Sequence, residues 1–181
     1  PFGTFYGPNI TPHPDAGIGR WSEADFMRAL RHGRRPDGAN YYPIFPYPSF
    51  TRITDDDSRD LWAYFRALPA SSQANREHDL HFPFGWRFLI TIWKWLYFTP
   101  GPMAKAQDVP EIVNRGSYLV RALGHCGECH TPRNLLRGPK AGRLLAGGRS
   151  LENKESSNLT PTGLKKRSEE HTSELQSLAY L

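Results

Sequence analysis

Cys126-Gly127-Glu128-Cys129-His130 places two thiols one helical turn apart, with an imidazole directly after the second. This is the spacing of covalent c-type haem attachment. Two thioether bonds to a porphyrin need sulfurs on one side of a turn, and the next residue carries its side chain under the ring, where an imidazole binds iron. Cys126 and Cys129 are the only cysteines in the 181 residues. A structural zinc site would have to draw its ligands from His125, Cys126, Cys129 and His130, and so short a stretch closes a tetrahedron poorly. A thioredoxin-like redox pair belongs at the end of a strand in a βαβ unit, and no alternating β-branched run precedes Cys126. Haem c is the cofactor these residues favour, with Cys126 and Cys129 as covalent anchors and His130 as the iron ligand.

Something must hold this turn. Ahead of it, Glu111 to Leu123 reads as a helix, with Ile112, Leu119, Val120 and Leu123 as apolar positions, Gly116 as a place for close backbone approach, and Gly124 as its end. In the first half of the chain, Ser22 with Asp25 three residues on is a capping pair that opens a helix running to about His32, stopped by Gly33. A second helix starts at Thr54, with Asp55, Asp56 and Asp57 against its positive end. It presents Leu61, Tyr64, Phe65 and Leu68 on one side and is closed by Pro69. Between them, Tyr41 to Phe50 is too proline-rich for a helix and reads as a loop.

An internal repeat divides the chain. Asn9-Ile10-Thr11-Pro12 recurs as Asn158-Leu159-Thr160-Pro161, each followed by a Gly-aliphatic pair, Gly17-Ile18 and Gly163-Leu164. Asn158 lies 28 positions after His130, so the matching haem motif of the first copy is expected about as far ahead of Asn9, outside this chain. The expected organisation is 1–70 as the C-terminal part of one domain, 71–110 as a linker, and 111–166 as the N-terminal part of a second. Residues 167–181 are read as a non-native tail, because Arg167 to Ser177 matches the in-frame translation of a widely used sequencing adapter; a polar native helix is the alternative.

The phrases Phe2-Gly3-Thr4-Phe5-Tyr6, Asn9-Ile10-Thr11-Pro12, Gly17-Ile18-Gly19-Arg20-Trp21-Ser22, Tyr42-Pro43-Ile44-Phe45-Pro46-Tyr47 and His125-Cys126-Gly127-Glu128-Cys129-His130-Thr131-Pro132-Arg133-Asn134 resemble the two-haem class I cytochromes c that serve periplasmic dehydrogenases. The resemblance covers most of residues 1–164. It implies an all-α fold of tandem class I cytochrome c-like domains, both incomplete here. It also implies an electron carrier that takes electrons from a dehydrogenase catalytic subunit and passes them to a downstream cytochrome or oxidase. In that family the glycine at the position of Gly116 is where the terminal helix crosses. The distal methionine would fall at Phe45, or just before the capping residue at Ile53, and neither is methionine; Met27 lies inside a helix and reads as packing. Asn158 and Thr160 are candidates for haem propionate contacts, as are Arg133 and Arg143. The carbonyl of Gly138-Pro139 is a candidate to orient His130 through Nδ1, although Gly-Pro is more often just a turn. The alternative function is a catalytic haem protein, of peroxidase or thiosulfate-oxidising type, with an open distal site.

The formal charge of +5 favours docking on acidic partners by electrostatic steering, and no basic-aromatic stripe suggests a nucleic-acid module. The proposed tail, with one Arg and three Glu, does not supply that excess. Phe82 to Phe98 is strongly aromatic, but Pro83, Gly85, Arg87 and Lys94 interrupt a run shorter than the roughly 20 residues of a spanning helix. It reads as an interdomain helix packed on a haem domain, with an interfacial membrane contact as the alternative. Haem attachment at Cys-x-x-Cys-His takes place outside the cytoplasm, so the expected compartment is an oxidising periplasm.

Overall fold

The structure, a computed structural model, describes residues 2–149 and 155–165; the reading of 167–181 as an adapter-derived tail lies outside the described residues. The chain divides into two compact units, Pro1–Leu123 and Gly124–Leu181.

In the first unit, helix α1 (Glu23–His32) begins where its capping pair places it. The Ser22 hydroxyl accepts from the Asp25 N–H at 3.1 Å while the Asp25 carboxylate accepts from the Ser22 N–H at 3.0 Å. Gly33 ends it in the left-handed conformation, φ 55°. Phe26, Ala29 and Leu30, at helical spacing, are its buried stripe. The proline-rich segment that follows is not wholly a loop. Tyr47–Phe50 forms a short helix, α2, because Pro48 falls in its first turn, where the missing N–H has no helical acceptor to lose. Tyr47 is fully buried against Gly33 and Phe98.

Helix α3 (Asp55–Ala67) is capped by Thr54, whose hydroxyl accepts from the Asp57 N–H at 3.2 Å. Helices α1 and α3 meet over Ile18, Phe26 and Leu30, covered by Trp21, Phe45, Phe50, Leu61, Trp62 and Phe65. The Trp62 ring lies 5.4 Å from that of Phe26, whereas Tyr64, expected on the packed side, is 62% exposed. The larger, mostly apolar indole takes the inward position and the phenol stays in water.

Residues 71–80 are mostly exposed but tied down. They run beside the N-terminal segment, where the Asn9 amide donates to the Ser71 and Gln73 carbonyls at 2.8 and 3.0 Å, and the Asn75 amide donates to the Ala16 carbonyl at 2.8 Å. Strand β1 (Gly3–Thr4) pairs antiparallel with β2 (Asp79–Leu80), Gly3 opposite Leu80. A Cβ at Gly3 would lie 2.1 Å from the Asp79 carbonyl oxygen, so this strand contact requires glycine.

Helix α4 (Phe88–Tyr97) packs on this unit through Ile90, which is buried, and Lys94. The Lys94 ammonium donates to the Asn40 side chain at 2.9 Å and to the His32 carbonyl, and lies over the rings of Tyr47 and Phe98. Burial, with Arg34 nearby, lowers its pKa to about 8. Among the described residues no helix is long and apolar enough to cross a membrane.

Helix α5 (Glu111–Tyr118) continues into a π-helical turn, Leu119–Leu123, and falls in the first unit. Its inward residues differ from the expected stripe. Ala122 and Asn114 are buried, while Ile112 and Leu119 are 80% and 43% exposed. A Cβ built at Gly116 would meet open space, so the close approach expected there is not made among the described residues. What fixes the helix is polar. The Asn114 side chain exchanges two hydrogen bonds with the backbone of Ala106, and the Tyr118 hydroxyl accepts from the Thr54 N–H at 3.0 Å while donating to the Asp57 carboxylate. Tyr118 therefore ties α5 to the capping residue of α3.

Burial, followed by the hydrogen bond to Asp57, raises the Tyr118 phenol above its ordinary 10.0. A raised folded-state value means that the stability it contributes is complete below pH 10 and is lost as pH rises beyond. Tyr118→Phe is expected to cost about 1 kcal/mol at neutral pH and to abolish that alkaline loss, as measured by urea unfolding at pH 7 and at about pH 11.

Candidate haem site

The second unit is built around the thiol-bearing turn. His125 adopts φ 40° after Gly124, which turns the chain sharply into helix α6 (Gly127–His130), with Cys126 as its N-cap. The His130 N–H bonds to the Cys126 carbonyl at 3.0 Å, so Cys126, Cys129 and His130 share one tight turn. Cys126 is half-buried and Cys129 is exposed. Thr131, 2% exposed, anchors the turn from behind: its hydroxyl accepts from the Leu145 N–H at 3.1 Å, and the His130 carbonyl accepts from the Gly147 N–H at 2.8 Å. Strand β3 (Gly148–Arg149) pairs with β4 (Glu155–Ser156), carrying the chain back to the histidine.

His130 Nδ1 lies 2.8 Å from the Ser157 carbonyl oxygen. A carbonyl only accepts, so Nδ1 carries the proton and Nε2 keeps its lone pair for a metal. The Gly138-Pro139 candidate for this role is therefore corrected. Gly138 instead closes a turn, its N–H donating to the Asn134 side chain at 3.0 Å and its carbonyl accepting from the Asn134 N–H at 2.9 Å. Sequence reasoning missed Ser157 for a physical reason: the group used is a backbone carbonyl, which every residue type possesses. The only signal was position, directly ahead of the repeated Asn-x-Thr-Pro phrase.

That phrase repeats in geometry as well as in letters. The Asn158 side-chain oxygen accepts from the Thr160 N–H at 2.8 Å and the Thr160 hydroxyl at 2.7 Å, as Asn9 accepts from Thr11 at 3.0 and 2.7 Å. A Cβ at Gly17 would lie 2.1 Å from the Thr11 carbonyl oxygen, and one at Gly163 would lie 2.4 Å from that of Asn158. Both copies thus close a tight, glycine-dependent turn. Asn158 and Thr160 hold each other and stand beside the carbonyl that orients His130.

Arg133, whose side chain is 5% exposed, donates to the Glu128 carboxylate at 2.7 Å and to the Arg137 carbonyl at 2.8 Å. Its Nε is buried without a hydrogen-bond partner among the described residues. Arg143 ends a 3₁₀ turn, Ala141–Arg143, and is exposed. The thiols, the tautomer-fixed imidazole and the orphaned guanidinium donor fit a covalently held, anionic macrocycle. In the first unit, Phe45 and Ile53, where the resemblance would put a distal methionine, are packing residues. Phe45 lies among Tyr41, Tyr47 and Phe50, and Ile53 is 1% exposed.

The chain is similar to curated cytochrome c proteins. The chain is 48% identical over 164 residues to a "Diheme cytochrome c-type" protein of Cereibacter sphaeroides, covering 90% of this chain and 55% of that one. The chain matches the two-haem cytochrome c family. It is 43% identical over 164 residues to "Alcohol dehydrogenase (quinone), cytochrome c subunit" of Gluconobacter oxydans, covering 84% of this chain and 34% of the relative. It is also 43% identical over 145 residues to "Gluconate 2-dehydrogenase cytochrome c subunit" of Pantoea cypripedii, covering 78% and 32%. The chain thus spans about half the length of the first of these relatives and less of the others. No family model matches it.

Proposed function

We propose that this chain is part of a periplasmic electron carrier in which haem c is held through Cys126 and Cys129 and its iron is bound by His130. The observation that carries the reading is the His130 Nδ1–Ser157 carbonyl bond, which leaves Nε2 as an iron ligand at the end of a Cys-x-x-Cys turn. Bound there, haem supplies a one-electron couple. The protein's part is positional. Ser157, held by the Asn158–Thr160 turn, orients the imidazole and raises its basicity, while Arg133 Nε offers a donor to a propionate. Asn158 and Thr160 are proposed to line the propionate side.

The same reading takes 1–70 and 111–166 as portions of two tandem cytochrome domains joined by 71–110, with a second haem in the first. The donor is a dehydrogenase catalytic subunit, by analogy with the relatives named above, and the acceptor a downstream cytochrome or oxidase. The deciding experiment is to express the protein with a c-type maturation system, stain denatured protein for haem, and follow the spectrum through reduction and reoxidation. Covalent haem that cycles reversibly, without turning over peroxide or thiosulfate, is the expected result. Turnover of either would assign the chain to the catalytic haem proteins instead.

A further inference from the structure

The Asn-x-Thr-Pro turn occurs twice, and the first copy shows what its outward groups hold. The Asn9 side-chain amide donates to two carbonyls of one passing segment, Ser71 at 2.8 Å and Gln73 at 3.0 Å. Carbonyls two residues apart face the same side of an extended chain, so the two N–H groups of one amide can hold both. The Ser71 N–H donates in turn to the Thr11 hydroxyl at 3.1 Å. Asn75 closes the contact, accepting from the Asn9 N–H at 2.6 Å and donating to the Ala16 carbonyl at 2.8 Å. In the first unit this turn is therefore a clamp for peptide backbone.

The second copy has the clamp without its occupant. The Asn158 side-chain oxygen accepts from the Thr160 N–H and hydroxyl, as that of Asn9 does from Thr11, so the two side chains are braced alike. Among the described residues the Asn158 amide makes no hydrogen bond, and Asn158 is exposed where Asn9 is half-buried. Lining the propionate side requires only the position of this turn, not the amide donor.

We propose that Asn158 and Thr160 form a second peptide-backbone clamp, whose occupant is the second repeat's counterpart of residues 71–75. That segment would present two carbonyls to the Asn158 amide and an N–H to the Thr160 hydroxyl. Ser71 lies 62 positions after Asn9, and the repeat puts the counterpart about as far after Asn158, outside this chain. Once seated, it would also steady the turn that presents the Ser157 carbonyl to His130. The clamp needs no haem, so the proposal goes beyond the electron-carrier reading and does not rest on it.

The test is a nuclear magnetic resonance titration of the reduced, 15N-labelled holoprotein with a synthetic peptide of residues 69–77. A tethered segment meets its clamp at an effective concentration on the order of millimolar, so the free peptide is supplied to about 5 mM. The Asn158 side-chain amide and the Thr160 N–H should shift saturably, while the already covered Asn9 amide stays in place. Asn158→Asp keeps the acceptor for Thr160 but lacks the donor, and should weaken the response at Thr160 by about tenfold or more. In the occupied copy, Asn9→Asp should speed hydrogen exchange at the Ser71 N–H by about tenfold. No shift in the wild type, an undiminished response in Asn158→Asp, or unchanged Ser71 exchange in Asn9→Asp would each overturn the proposal. So would an Asn158 amide that shifts on haem attachment and then ignores the peptide, which would give it to a propionate. Haem staining of the same samples reports the electron-carrier reading separately.

Discussion

Cys126→Ser and Cys129→Ser are each expected to remove one thioether and to cut covalent haem sharply, and the double variant to abolish it, as read by haem staining of denatured protein. His130→Ala should allow attachment to proceed poorly and should leave any attached iron without its proximal imidazole, visible as a changed spin state. Full haem retention in both single cysteine variants would overturn the site. Ser157 cannot be tested by side-chain truncation, because its carbonyl does the work. Asn158→Ala is the informative substitution there. It removes the acceptor of two hydrogen bonds to Thr160, loosens the turn that presents the carbonyl, and should shift the haem potential while leaving both thioethers intact.

The second large effect is structural. Gly33→Val is expected to destabilise the first unit by about 3 kcal/mol or more, because two penalties coincide. Gly33 sits at φ 55°, where a β-branched residue is strained, and even a Cβ would lie 2.5 Å from the ring of Tyr47, which is wholly buried. The ring cannot retreat, since Phe98 stands edge-on at 5.0 Å on it. Gly38 separates the two penalties. Its φ is 83°, and a Cβ there would meet nothing within 4 Å, so Gly38→Ala should cost only the backbone strain, about 1 kcal/mol. Thermal unfolding should show a fall of about 10 °C or more for Gly33→Val and a much smaller one for Gly38→Ala. Equal losses at the two positions would show that the Tyr47 contact contributes nothing.

Between them these two tests address the halves of the molecule by different physics. The proposed haem site is defined by a short stretch of thiol and imidazole groups, and its failure would be chemical. The first unit is defined by aromatic packing around α1, α2 and α3, and its failure is steric.

What the sequence alone determined about this protein is whatever depends on residues a few positions apart. Cys126, Cys129 and His130 fall on one turn because three or four residues make a turn. Ser22 with Asp25, Thr54 with Asp57, and Gly33 set helix ends through bonds that span three or four residues. The Asn-x-Thr-Pro repeat kept its conformation because its bonds lie inside the phrase. Tertiary structure alone decided the rest. The partner of His130 is 27 residues away and that of Tyr118 is 61 residues away. Neither bond leaves a local pattern, since one uses an anonymous carbonyl and the other a helix-start carboxylate that capping already explained. The inward turn of Trp62 in place of Tyr64, and of Ala122 in place of Ile112, was likewise settled by which surface arrived opposite. Helical periodicity offers a face for burial, but only a packed neighbour chooses which residues of that face it covers.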